Sequence, residues 1–156
     1  MLAFAEMKQS LKSILPMAEG DWFQSEFLGE IMILIARICV VLAGLFSLAM
    51  GAMAYASPEQ LGTVLGMSAL SPIGVNSMRA DLGAFFLASA IACILALFAG
   101  RTSWLWGAAA LYALAVIGRF VGVVVDGAPE GIAQPVIIEL MLVAMLVFAA
   151  RTLARD

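Results

Sequence analysis

Four apolar runs, at residues 31–55, 82–100, 104–125 and 133–150, alternate with short stretches that hold most of the charged residues. Each run is about 20 residues long, the length an α-helix needs to cross the hydrocarbon core of a bilayer. The punctuation agrees with that division. Ser57-Pro58 stops the first run, Gly100-Arg101-Thr102-Ser103 makes a tight turn after the second, and Asp126-Gly127-Ala128-Pro129-Glu130-Gly131 separates the third from the fourth. Only the connection 56–80 is long. Its Pro58, Gly62, Gly66, Pro72 and Gly74 predict an ordered loop with one short interfacial helix over 58–67.

Ahead of the first run, Phe4, Met7, Leu11, Ile14 and Leu15 recur at helical spacing, with Glu6, Lys8, Gln9, Lys12 and Ser13 on the other side, as far as Pro16. This pattern predicts an amphipathic helix lying on the membrane surface, and it also fits a docking element for a partner subunit. Charges interrupt the early apolar residues and no short apolar core leads to a small-residue cleavage site, which argues against a cleavable signal peptide. The expected architecture is all-α. Residues 1–29 form an interfacial amphipathic helix and linker, and 30–156 form a four-transmembrane-helix bundle.

Composition strengthens the membrane reading and narrows the chemistry. Of 156 residues, 64% are apolar and 12% charged, with a mean hydropathy of +1.08; soluble domains have roughly 45–50% and about 25%. The net charge is −3 and the basic residues stand singly, so nothing tracks a phosphate backbone and nucleic acid is excluded as a partner. Histidine is absent. That removes the commonest haem and zinc ligand and every Ser-His or Cys-His nucleophile pair, and there is no P-loop. The chain points away from an enzyme and calls for no cofactor, while leaving room for a bound lipid. Cys39 and Cys93 each lie within an apolar run with no metal-binding spacing, as core filler does.

Basic residues set the orientation, because Lys and Arg are retained on the cytoplasmic side. Lys8 and Lys12 precede the first span, Arg101 lies in the second connection, and Arg151 and Arg155 follow the fourth span, all on one side. The opposite loops hold only Arg79, so both termini are expected in the cytoplasm. Trp22, Phe23, Tyr55, Trp104 and Trp106 fall where interfacial aromatic belts lie. Arg37, seven residues after Glu30, has a stem long enough to snorkel to the interface.

Small residues spaced by four let membrane helices approach closely. The second span carries Ala84, Ala88, Ala92, Ala96 and Gly100; the first has Ala43, Ser47 and Gly51, and the third Gly118 and Gly122. The fourth is bulkier. The first three spans are therefore expected to pack closely, with part of the fourth facing lipid or another chain. No pair of broken helices marks an inverted repeat of the transporter kind.

The topology gathers charge on the extracytoplasmic side. Arg79 and Asp81 open the second span, Arg119 and Asp126 lie near the end of the third, and Glu130 and Glu139 flank the start of the fourth. Arg119 lies six residues before Val125 and Glu139 six after Ala133, about 9 Å inward in both cases. An ionised side chain at such depth costs roughly 2.5–3.5 kcal/mol on insertion scales, so these two are expected to pair. Two readings of Arg79, Asp81, Arg119, Asp126 and Glu139 stand. One is a structural ion pair that fixes helix register. The other is a ligand site, since with Glu130 counted four acids outnumber the two arginines, and a surplus carboxylate in low dielectric is a proton carrier or cation site.

The stretch Met78-Arg79-Ala80-Asp81-Leu82-Gly83, with Gly118-Arg119-Phe120-Val121-Gly122, Asp126-Gly127 and Glu139, resembles an uncharacterised family of small bacterial four-helix membrane proteins, a domain of unknown function. The resemblance covers residues 31–153. Members show an Arg before a glycine-rich start of the second helix, a Gly-Arg pair in the third and an acid in the fourth. This chain keeps Arg79, Gly83, Arg119 and Glu139 but has Asp81-Leu82 where an aromatic residue and another glycine are often found. The resemblance implies the four-helix fold and a bacterial inner membrane, and lends no established activity. Two functions remain from the residues: a non-enzymatic accessory protein or subunit that binds lipid and other transmembrane subunits, or itself, and a protein that binds or transports a lipid, quinone-like molecule or cation through the polar half-cavity.

Overall fold

Apolar runs bounded by Pro and Gly fold as helices throughout the computed structural model, which describes residues 19–154. In chain order these are α1 (Glu19–Ala56), α2 (Pro58–Leu65), α3 (Pro72–Ser77), a π-helical turn (Met78–Leu82), α4 (Gly83–Phe98), α5 (Trp104–Asp126) and α6 (Ala133–Leu153), with no strand among the described residues. Four stretches are long and apolar enough to cross a membrane: Glu26–Ala56, Pro72–Phe98, Trp104–Asp126 and Ala133–Leu153. The chain divides into two units, Met1–Leu34 and Ile35–Asp156, and the candidate site lies in the second. The amphipathic helix expected before Pro16 lies outside the described residues.

Two helix starts differ from expectation, each for a physical reason. The first helix is already formed at Glu19, the first described residue, twelve residues ahead of Ile31. Hydropathy reports where lipid-compatible surface begins, whereas helicity continues until something breaks it, and no proline follows Pro16 before Pro58. The second span begins at Pro72, ten residues ahead of Leu82. Pro72 sits in the first helical turn, where its missing N–H is no loss, and the Ser71 hydroxyl accepts from the Gly74 amide at 3.2 Å as a cap. Arg79 and Asp81 are therefore inside this helix, in its wide π turn, and not in a preceding loop. The short helix α2 ends where Gly66 adopts φ +71, two residues before the expected Met67.

The buried faces follow the helical repeat. On α1 they are Ala36, Val40, Ala43, Ser47, Gly51 and Ala54; on α5 they are Leu105, Ala108, Ala109, Tyr112 and Val116. Between α1 and α4 the approach is close enough to require small residues. A Cβ on Gly83 would lie 2.6 Å from the Tyr55 ring, one on Gly51 2.7 Å from the Leu87 side chain, and one on Gly44 3.0 Å from the Cys93 Cβ. Aromatic edges continue the contact inward, Phe46 on Phe86 and Phe85 on Tyr112, with centroids 6.4 and 5.2 Å apart.

Two packing expectations are corrected. Of the small-residue line of the second span, Ala92 and Ala96 are buried but Ala84, Ala88 and Gly100 are exposed, and Phe86, Ser89, Ala90 and Cys93 share the buried face. Gly118 and Gly122 do not pack inside: a Cβ at either would meet nothing within 4 Å. The fourth span, α6, packs along α5 more extensively than α4 does, with Leu142, Leu146, Ala149 and Ala150 buried. Its outer residues Ile137, Leu140 and Met141 are exposed.

The glycines separate packing from propensity. Gly83→Ala forces a methyl into the rigid Tyr55 ring and is expected to cost about 1–3 kcal/mol, whereas Gly107→Ala meets only open space and is expected to gain roughly 0.5–1 kcal/mol from helix propensity. Thermal melts of both variants in detergent, followed by circular dichroism, check the opposite signs.

Candidate functional site

The apolar seam between α5 and α6 ends in charge. Counting along α5, Leu105, Ala108, Tyr112 and Val116 occupy one face, and three residues further the same face presents Arg119. On α6, Glu139 precedes the buried Leu142 and Leu146 by three and seven residues. The two side chains therefore meet at the end of the interface. The Arg119 Nε–H donates to both Glu139 oxygens at 2.9 Å, and the side chains retain 25% and 13% of their exposure. Arg119 is seven residues inside the end of α5 at Asp126, about 10 Å along the axis.

This geometry satisfies the carboxylate and neutralises the pair, which is what low-dielectric surroundings demand of two opposite charges. Both oxygens share one N–H, so the terminal guanidinium nitrogens of Arg119 have no bonded partner among the described residues. Arg79 is held in a different way. Its Nε–H donates to the Tyr55 carbonyl at 3.1 Å, one of the orphan acceptors in the last turn of α1. Asp81, Asp126 and Glu130 are exposed and, among the described residues, make no hydrogen bond or ion pair. Of the five candidate residues, then, the structure joins Arg119 to Glu139, ties Arg79 to a backbone carbonyl, and leaves Asp81 and Asp126 outside both contacts.

A second polar constellation lies deeper and carries no formal charge. Tyr112, 1% exposed, has its hydroxyl 2.7 Å from Ser47 Oγ, and Ser47 Oγ in turn donates to the Ala43 carbonyl at 2.7 Å. Ser47 has one hydroxyl hydrogen, so the Tyr112 hydroxyl is the donor between them. Ser89 Oγ donates to the Phe85 carbonyl at 3.1 Å, and no buried side-chain polar atom among the described residues lacks a partner. The Tyr112 bond pins α5 to α1. A tyrosine amid the apolar run of α5, with a serine amid that of α1, was the available signal.

No group of three or more His, Cys, Asp or Glu with the geometry for a metal ion occurs among the described residues. Residues 35–150 match the family described as "Domain of unknown function (DUF4345)", a stretch that takes in Arg79, Arg119 and Glu139. Neither a curated protein nor a solved structure matches the chain.

Two sets of substitutions grade the polar contacts. Glu139→Leu leaves Arg119 uncompensated and is expected to cost about 3 kcal/mol, most of which the double variant Arg119→Met, Glu139→Leu recovers. Tyr112→Phe removes one neutral hydrogen bond while Ser47 keeps its Ala43 acceptor, an expected loss of about 1 kcal/mol. Reversible unfolding in mixed micelles measures both, and a double variant no better than Glu139→Leu would contradict the clamp.

Proposed function

We propose, for a chain that belongs to the DUF4345 family and so carries no assigned activity, that it is a non-enzymatic multi-pass protein of a bacterial inner membrane, an accessory protein or subunit that binds other membrane helices and lipid. The observation that carries this reading is the closed Arg119–Glu139 pair. Both oxygens of its carboxylate accept from the Arg119 guanidinium, so the deepest acid of the bundle already has its partner within the chain. The other polar side chains buried in the spans, Ser47, Ser89 and Tyr112, are likewise engaged within the chain. What the helices turn outward is apolar surface.

Part of that surface is shaped for a helix. Gly118 and Gly122 are four residues apart on α5, and among the described residues nothing lies within 4 Å of where each Cβ would be. Paired small residues of this spacing favour close backbone contact between helices in lipid. The orientation with both termini cytoplasmic draws support from the opposite end of the helices. Exposed Trp104 and Trp106 open α5 there, and the Arg151 guanidinium lies 6.0 Å from the Trp106 ring centre, an arrangement suited to a cytoplasmic headgroup layer. The competing reading, a ligand held among the five charged residues, has less to draw on because Asp81 and Asp126 are exposed and outside the pair.

Protein extracted in a mild detergent is expected to run as part of a larger assembly of defined stoichiometry. Gly118→Leu with Gly122→Leu is expected to dissociate that assembly without lowering the melting temperature of the chain, as judged by native mass spectrometry and circular dichroism. A wild-type chain that runs as a lone monomer would remove the main support for the subunit role.

A further inference from the structure

A cleft of about 310 Å³ opens where the first span ends, lined by Ser57, Pro58, Glu59 and Gln60 from the start of α2, Val75 from α3, and Arg79 from the π turn. Because the first span closes at Ala56 and α2 begins two residues later, the cleft sits at the level where phospholipid headgroups lie against a spanning helix. Its two ionisable side chains are of opposite sign and do not neutralise one another: Arg79 bonds to the Tyr55 carbonyl, and Glu59 is exposed with no ion pair among the described residues.

Each charge is placed for a ligand in its own way. Anchored through Nε, the Arg79 guanidinium keeps its full charge, and its terminal nitrogens have no bonded partner among the described residues. A guanidinium fork matches the oxygens of a phosphate. The amides of Glu59 and Gln60 open α2 with no side-chain cap from Ser57 and add donors to the same wall. A simple anion would meet this wall but would also face the Glu59 carboxylate. A zwitterion with phosphate and ammonium on adjacent carbons satisfies both. No aromatic side chain lines the cleft to receive a quaternary ammonium, and a carboxylate pairs best with a primary one that donates hydrogen bonds.

We infer that this cleft binds a phosphoethanolamine headgroup, its phosphate on Arg79 and the first amides of α2 and its ammonium on Glu59. The inference rests on the membrane placement proposed above and is independent of any association with other chains. The headgroup belongs to a membrane lipid, whose acyl chains then lie along the exposed apolar surface beneath the cleft.

The test uses the full chain in detergent micelles, offered phosphatidylethanolamine, phosphatidylglycerol and phosphatidylcholine with identical acyl chains at equal concentration, with retained lipid counted by native mass spectrometry. Wild type is expected to retain phosphatidylethanolamine several-fold over the other two. Glu59→Gln, at an exposed position, is expected to abolish that preference with an unchanged melt. Arg79→Lys is expected to lower retention of all three lipids. Excess O-phosphoethanolamine is expected to displace the lipid where inorganic phosphate does not. Equal retention of the three lipids by wild type, or a preference that survives Glu59→Gln, overturns the inference. Equal displacement by phosphate reveals a bare anion site, and binding of free O-phosphoethanolamine without any retained lipid assigns the cleft to a soluble ligand; each also overturns it. A chain that fails to enter micelles or nanodiscs overturns the membrane placement instead, so the two failures are distinguishable.

Discussion

Inside hydrocarbon, a polar group has no water to fall back on, so each one must find its partner within the protein. Nearly every specific contact in this chain follows from that constraint. Helical backbone satisfies its own amides and carbonyls, which leaves the side chains and the helix ends to be settled. The Arg119–Glu139 pair settles the two charges, the Tyr112–Ser47 bond and its continuation to Ala43 settle two hydroxyls, and Arg79 settles the Tyr55 carbonyl at the end of α1. The Arg119–Glu139, Tyr112–Ser47 and Arg79–Tyr55 bonds also cross between elements, so for these satisfying polarity and fixing the arrangement of helices are one event. Apolar packing alone leaves rotation of a helix about its axis weakly determined in lipid, because tails and leucines are equally apolar. Pairing Arg119 with Glu139 sets the rotation of α6 against α5, and Tyr112 sets that of α5 against α1.

Close packing then supplies what these bonds cannot. Gly51 and Gly83 on facing helices let α1 and α4 approach until a single added methyl would collide with Leu87 or Tyr55. The π turn at Met78–Leu82 lies immediately before Gly83 and holds Arg79, whose Nε–H reaches the Tyr55 carbonyl. Tyr55 is thus held twice, its ring against Gly83 and its carbonyl by Arg79. The wide turn adds a residue to the helical ladder there and alters which side chains face α1.

The existence of four spans was legible because long apolar runs have no other stable home, and the Arg119–Glu139 pairing was legible because helical rise makes depth countable from sequence. Helix starts were less so. Polar residues at Glu26 and Glu30 end a hydropathy run without ending a helix, and Pro72 reads as a breaker in the middle of a loop but as a starter in a first turn. Depth also says nothing about azimuth. Asp126 shares a helical side with Arg119 but stands at the exposed end of α5, and Asp81 lies in a π turn for which the local sequence holds no signal. Gly118 and Gly122 mark a face suited to close packing, yet one residue around the helix, roughly 100°, separates Gly118 from the seam that Arg119 occupies. Ser47 reads from sequence only as a small packing residue and Tyr112 as part of an apolar run, because a hydroxyl there resembles filler until a partner is seen across from it.

Arg79 and Arg119 are built alike and end in opposite electrostatic states. Both are pinned through Nε, and for both the terminal fork has no bonded partner among the described residues. What holds the Nε decides the rest. Glu139 brings a full negative charge, so the Arg119 fork belongs to a neutral pair, and a second anion there would compete with a carboxylate already in place. The Tyr55 carbonyl brings only a dipole, so Arg79 stays a cation at the mouth of a cleft. In low dielectric the interaction between full charges outweighs that between a charge and a dipole, which makes Arg119 the residue that fixes helices and Arg79 the one whose charge is left to attract something from outside.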